Sequence, residues 1–489
     1  MAPAATKAPA MTVPDLSAKK LLVVGAGRTG LATARFAASQ HALVTLTDAR
    51  SAAAIGATLA DLPPHVTLEL GGHRAASFTS ADLIVLSPGV PPTLPELLAA
   101  KQHGVAITGE VELASRFIEA PIVGITGTNG KSTVTSLCGD IAIATGRPAF
   151  VGGNLGTPLI EAVGTPAATQ QGLVVCELSS YQLETADTFH PRAAVLLNLT
   201  PDHLDRYPSM AAYADAKMRI TRRLGRRPGD VFVMNEDCAT SVEAYARNVG
   251  GWLPTLTYST IGRPRHRFSA PQGDGVLTLE VGGFVEGDML VLRLPDARGH
   301  VTEERYPTHD LQLVGRHNLG NALSAFLAMR ASGLATWAEV LAGARAFRPL
   351  PHRMELVADK LGVRYYDDSK GTNVGAVVAS LDGFPRPFLL IAGGRDKGGS
   401  YGPLREMLQR NISRAVIVLG EAADKIASTV EGVTPVRRAA SLEEAVAIAA
   451  ALAKDGDAVV LSPACSSFDM FDNYAHRGRV FRQAVASLP

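Results

Sequence analysis

Cysteine is scarce in this chain. The four present among 489 residues, Cys138, Cys176, Cys238 and Cys465, lie far apart, and no two form a Cys-x-x-Cys pair. That excludes the common zinc spacings and points to a reducing compartment. Net charge is scarce as well: a balance of +1 gives no reason to expect nucleic acid or an anionic membrane as a bulk partner. No run of about 20 apolar residues occurs, so no membrane insertion is expected. The first 16 residues are rich in Ala and Pro and carry one basic residue, Lys7. They lack the apolar core of a signal peptide and the arginines of a transit peptide. Residues 1–17 read as a disordered tail on a cytoplasmic protein.

What remains is an ordinary globular composition, 46% hydrophobic and 19% charged. At 489 residues the chain exceeds what one core usually serves, so two to four domains are expected. Apolar strands alternate with helical stretches throughout, the pattern of parallel α/β domains. Three units are expected, at 18–119, 120–349 and 350–489. From about Arg263 to Tyr306 the pattern changes to short alternating strands, a β-rich excursion to which no function attaches.

The first unit runs from the strand Leu21–Val24 through Gly25-Ala-Gly27-Arg-Thr29-Gly30 into a helix. A second strand ends at Asp48, and a later one ends in Ser87-Pro88-Gly89. This fits the dinucleotide fingerprint G-x-G-x-x-G with its strand-end acid. The alternatives are another nucleotide or a structural tight turn. A second nucleotide loop downstream weighs against a dehydrogenase, which seldom needs a triphosphate site.

That second loop opens the central unit. The apolar strand 121–126 leads through Gly127-Thr128-Asn129-Gly130-Lys131-Ser132-Thr133 into a helix. Small residues let backbone N–H groups close on phosphate oxygens, Lys131 adds a point charge, and the Ser132 hydroxyl can reach Mg²⁺. The match to G-x-x-x-x-G-K-[ST] is imperfect, since Ile125 stands where the first glycine belongs. Leu173–Glu177 is an apolar strand ending in a carboxylate, the place for a metal-holding acid beside a triphosphate, although a strand-terminal Glu is more often only solvated. Asn198-Leu-Thr200-Pro-Asp202-His203-Leu-Asp205-Arg206-Tyr207 puts oxygen and imidazole groups past another strand, as ligands or as helix caps. Lys217 reads by default as a surface lysine.

In the third unit three strand ends carry polar clusters: Asp367-Asp368-Ser369-Lys370-Gly371-Thr372-Asn373, Gly393-Gly394-Arg395-Asp396-Lys397, and Ser462 through Asp469. Each could be capping chemistry; together at one sheet edge they suggest a site for a carboxylate-bearing ligand.

The strings GTNGKST (127–133), GGNLGTP (152–158), ELSSYQLE (177–184), TPDHLDRY (200–207), YADAK (213–217), GRHNLGNALSA (315–325), PHRME (351–355), DDSKGTN (367–373) and LSPACSSFDMF (461–471) resemble those of the Mur ligase family. These are ATP-dependent, amide-forming enzymes of peptidoglycan synthesis, and the nine strings span the chain in order. The resemblance implies a Rossmann-like first domain, a P-loop ATPase-like second and a Rossmann-like third. It also implies that ATP phosphorylates the carboxylate of UDP-N-acetylmuramoyl-L-alanine and that the amine of D-glutamate attacks the acyl phosphate.

By motif, Lys131 is expected on the β- and γ-phosphates, with Ser132 and Glu177 on one Mg²⁺ and His203 on a second. Lys217 aligns with the lysine the family carbamylates into a metal ligand. Asn321, Arg353 and Asp368 resemble ATP contacts, and Asn154 resembles a contact to the UDP-linked substrate. Gly27, Thr29, Asp48, Ser87, Pro88 and Gly89 would then hold the uridine nucleotide. Lys370, Thr372, Lys397 and Ser467 resemble the residues that grip D-glutamate, with Tyr474 where the family often has Phe. A monomer is expected. A sibling ligase adding a diamino acid would carry an Asp-(Asn/Asp)-Pro-Arg motif, which is missing, and a folylpolyglutamate synthase is the other relative weighed. An NAD-dependent oxidoreductase would account for only the first 120 residues, and a switch GTPase would need an absent Asn-Lys-x-Asp.

Overall fold

The computed structural model describes residues 14–489 except 155, 205, 251–252, 266–267, 273–274, 297–299 and 314. Most of the expected tail, and Asp205, therefore lie outside the described residues. Of the described residues in that stretch, Leu16 is buried in the first core.

The first sheet is built from β1 (Lys20–Val24), β2 (Leu43–Asp48), β3 (Thr67–Leu70), β4 (Leu83–Leu86) and β5 (Ala106–Gly109). Its order is β3-β2-β1-β4-β5, all parallel. The order reverses between β1 and β4, where parallel sheets open a crevice at their carboxyl ends. The Gly25–Gly30 turn and the Ser87–Gly89 turn flank that crevice.

The second sheet contains β6 (Ile122–Thr126), β7 (Ala149–Gly153), β8 (Leu173–Glu177), β9 (Ala193–Leu196), β10 (Val231–Asn235) and β11 (Thr255–Ser259). A separate antiparallel hairpin, β12 (Phe268–Gln272) with β13 (Gly275–Leu279), follows. Then β14 (Gly282–Glu286), β15 (Met289–Pro295) and β16 (Val301–Pro307) rejoin the sheet, whose order is β16-β15-β14-β11-β10-β9-β6-β8-β7. So the 263–306 excursion extends the central sheet. β15 and β16 run antiparallel because short connections cannot make a crossover, and an edge tolerates the reversal. Helix Arg316–Ala331 packs across this sheet and buries Phe326, Leu327 and Met329 beside Tyr258 and Leu292.

The third sheet contains β17 (Glu355–Lys360), β18 (Val363–Asp367), β19 (Phe388–Gly393), β20 (Ser413–Leu419), β21 (Val436–Arg438) and β22 (Ala458–Leu461). Its order is β17-β18-β22-β19-β20-β21, with only β17 antiparallel. The three strands whose ends carry the polar clusters, β18, β22 and β19, are therefore neighbours.

Candidate active site

The phosphate loop leaves β6 between β8 and β9 and is fastened by its neighbour. Thr128 and Asn129 donate their backbone N–H groups to the Asn198 carbonyl and side-chain oxygen (2.8 and 2.9 Å). The Asn198 amide returns to the Asn129 carbonyl at 3.1 Å. Gly130 sits at φ +84°, and a Cβ there would lie 2.4 Å from Asn321 Oδ1, so this position demands glycine. Helix Lys131–Ala144 then begins with no side-chain cap, so its first N–H groups are free to take an anion. The Lys131 ammonium donates to the loop carbonyls of Gly127 and Thr128 at 2.9 and 2.8 Å.

Lys217 is no surface lysine. It is 2% exposed and donates to the Gly127 carbonyl at 2.9 Å. Its helix, Met210–Met218, also turns Tyr213 toward the loop, since residues four apart share a face. The Tyr213 hydroxyl meets the Thr128 hydroxyl at 3.2 Å. Burial, with Lys131 close by, holds the Lys217 pKa well below the ordinary lysine value. Glu177 is also buried. Its Oε1 accepts from the Asn154 amide at 2.7 Å, and its Oε2 has no hydrogen-bond partner among the described residues. An orphaned carboxylate oxygen beside Ser132 and Lys131 fits a site for a hard cation.

One cavity of about 250 Å³ gathers most of the expected residues. From the second sheet it takes Thr128 through Thr133, Asn154, Glu177, His203 and Asn321; from the third, Arg353, Asp368, Lys370, Thr372 and Lys397. The two sheets touch directly here. Arg353 donates to the Ser132 hydroxyl at 2.9 Å, the Asn373 amide to Asn129 Oδ1 at 3.2 Å, and Lys397 to Asp202 Oδ1 at 3.4 Å. Burial lowers the pKa of Lys131 and Arg353 and brings Lys370 down to about 8. It raises Asp368 to about 6, although the Ser462 and Ser380 hydroxyls donate to that carboxylate at 2.6 and 3.1 Å.

Ser467 and Tyr474 do not line this cavity. Ser467 is 2% exposed within its loop. The Tyr474 ring lies 3.8 Å beneath the Lys370 ammonium, and the Tyr474 carbonyl accepts from the Ser369 hydroxyl at 2.7 Å. Both strand-end loops hang on Arg477, which is 1% exposed. It donates to the Ser369 hydroxyl and carbonyl at 3.0 and 2.9 Å and to the Cys465 carbonyl at 3.2 Å. Sequence reading missed Arg477, because an arginine on an amphipathic helix resembles any solvated one.

Gly27, Thr29, Asp48, Ser87, Pro88 and Gly89 line a different cavity, of about 550 Å³, in the crevice of the first sheet. Asp48 is engaged on both oxygens: Arg50 donates to it at 3.0 and 2.8 Å, and the Ala26 N–H at 2.7 Å. The Arg50 guanidinium holds the Asp48 carboxyl far below the usual carboxylate range. Arg50 and His73, neither expected from sequence, line the same cavity. Asn154, expected on the UDP-linked substrate, lies on the wall of the central cavity.

A phosphate loop facing a cationic edge across a domain boundary defines a nucleotide-dependent enzyme with a second anionic ligand. Profiles of Mur ligase domains match along the chain: the MurD-like N-terminal domain at residues 19–109, the middle domain at 125–329, and the glutamate ligase domain at 352–465. The chain belongs to the Mur ligase family. It is 45% identical to a UDP-N-acetylmuramoylalanine–D-glutamate ligase of Syntrophotalea carbinolica over 480 residues, covering 97% of this chain and 99% of that one. The like-named protein of Anaeromyxobacter dehalogenans is 45% identical over 479 residues, at 97% and 98% coverage. Among solved structures, a pseudomurein peptide ligase type C from Methanothermus fervidus superposes with a TM-score of 0.58 at 19% identity, covering 96% of this chain and all of that one. MurF from Thermotoga maritima, solved with ADP, gives 0.54 at 15% identity, with 98% and 97% covered. These two likenesses speak for the three-domain fold.

Proposed function

We propose that this chain uses ATP to join D-glutamate to UDP-N-acetylmuramoyl-L-alanine, a step of peptidoglycan synthesis. The observation that carries the proposal is the shared cavity, where Lys131, Ser132 and Glu177 of the second sheet face Lys370, Thr372 and Lys397 of the third. The relatives' name supports the choice of substrates. The γ-phosphoryl group passes from ATP to the alanine carboxylate, giving ADP and an acyl phosphate. The D-glutamate amine attacks the acyl carbon, and the tetrahedral intermediate expels phosphate as the amide forms. Such a sequence asks for positioning and charge neutralisation more than for covalent help.

Lys131 and the loop amides of Gly127 to Thr133 hold the phosphates, with Arg353, Asn321 and Asp368 completing the nucleotide site. Ser132 and Glu177, and separately His203 and Lys217, are the residues that would hold two Mg²⁺ ions, which when bound neutralise charge on the transferring phosphoryl group. Burial, with Lys131 close by, lowers the Lys217 pKa and so favours the neutral amine, the form that takes up CO₂, in keeping with a carbamylated lysine here. Lys370, Thr372 and Lys397 grip the D-glutamate carboxylates, while Ser467 and Tyr474 shape that grip from behind. Gly27, Thr29, Ser87, Pro88 and Gly89 hold the uridine nucleotide, and Asp48 presents Arg50 to it; Asn154 meets the substrate's reacting end. The same reading carries the division at 18–119, 120–349 and 350–489, a cytoplasmic location and a monomeric state. No described helix is long and apolar enough to cross a membrane.

The deciding assay scans amino acids against the UDP-N-acetylmuramoyl-L-alanine acceptor and measures phosphate release. D-glutamate alone should support turnover; comparable rates with L-alanine or a diamino acid would sink the assignment.

A further inference from the structure

Tyr181 belongs to the ELSSYQLE string, yet no role in the reaction attaches to it. Its hydroxyl lies 2.8 Å from His203 Nδ1, and the two rings are 4.9 Å apart. Both partners are held in place. The turn Ser180–Leu183 is fixed by a Ser179–Gln182 capping box. The Arg206 guanidinium, itself bound to Glu184 at 2.6 Å, sits 4.2 Å over the Tyr181 ring. His203 takes a left-handed backbone at φ +56°, rare for a residue with a Cβ. Its other nitrogen, Nε2, is 3.7 Å from Asp202 Oδ2, too far for a hydrogen bond. The Asp202 oxygens instead receive Lys397 and the His203 N–H on one side and Asn373 on the other.

A neutral imidazole has one donor and one acceptor nitrogen, and only the acceptor can ligate a cation. If the Tyr181 hydroxyl donates to Nδ1, then Nε2 carries the proton and is lost as a ligand. If Nδ1–H donates to the tyrosine oxygen, Nε2 keeps its lone pair. We infer that Tyr181 is a positioning residue that accepts from His203 Nδ1–H and thereby fixes the tautomer in which Nε2 is free to hold a divalent cation. This rests on the reading of His203 as a metal-holding residue. Tyrosine here does what a carboxylate or backbone carbonyl does behind most metal-binding histidines.

The test uses the full chain loaded with ADP and UDP-N-acetylmuramoyl-L-alanine, with Mn²⁺ titrated and free ion counted by its EPR signal. Tyr181→Phe should weaken the His203-dependent Mn²⁺ site by about ten- to a hundredfold, leaving ADP affinity and melting temperature near those of the parent. His203→Asn identifies that site. Unchanged Mn²⁺ binding in Tyr181→Phe, while His203→Asn weakens it, would overturn the inference alone. Unchanged binding in both would overturn it together with the metal role of His203. A second measurement needs no tyrosine variant: ¹⁵N NMR of histidine-labelled native chain with Mg²⁺ should show His203 protonated on Nδ1. A proton on Nε2 would refute the proposal.

Discussion

Lys217 and Lys370 show how position overrides residue type. A lysine at the end of a short helix is ordinarily solvated, yet Lys217 is 2% exposed under the phosphate loop. If it is carbamylated, Lys217→Ala should lower turnover on the order of a hundredfold, and acetate or another short carboxylic acid should restore part of it; no rescue would count against the modification. Lys370 is half-buried and its pKa falls to about 8, desolvation being the main cause. The sign follows from the charge it must carry: the ammonium is present below that pH and is lost above it. The grip on D-glutamate carboxylates should therefore weaken as pH rises, by about tenfold at one unit past the midpoint. The ratio of KM values for D-glutamate between the parent and Lys370→Arg isolates this, because both share the titration of the D-glutamate amine. A ratio flat from pH 7 to pH 9 would reject the role.

Among elements, the first glycine turn separates packing from binding. A Cβ at Gly30 would lie 1.8 Å from the Gly25 carbonyl oxygen, so helix Arg28–Ser39 can meet its turn only without a side chain there. Gly30→Ala should cost about 1–3 kcal/mol of stability, read as a lower denaturation midpoint. Gly27 has open space around it and an ordinary φ of −82°. Gly27→Ala should unfold like the parent while raising the KM for the UDP-linked substrate; a normal KM would remove Gly27 from the binding surface. The β1 turn was legible because glycines at this spacing between an apolar strand and a helix mark a local strand-turn-helix unit. The extension by β14, β15 and β16 was not legible as part of the central sheet, since short alternating strands do not reveal which edge they join.

At the scale of the whole molecule, the third sheet meets the second through polar contacts from Arg353 and Asn373 to the phosphate loop and from Lys397 to Asp202 after β9. Contacts of this kind are individually weak, so the third domain should move relative to the second when ligands arrive. Small-angle scattering with and without ATP and UDP-N-acetylmuramoyl-L-alanine should give different profiles; superimposable ones would contradict such a swing.

The sequence by itself determined which chemistry is present: the glycine spacing of two anion-binding turns, the strand-end acids, and the cationic clusters of the third unit. These are local, because a turn or a helix start depends on a few neighbouring residues. Only the tertiary structure decided which of them meet. Lys217 reaches Gly127 across 90 positions and Arg353 reaches Ser132 across 221. The order of strands within the sheets, and the docking of one sheet's edge on another, bring such pairs together, and burial at that junction then lowers the pKa of both cations. No spacing along the chain encodes either effect.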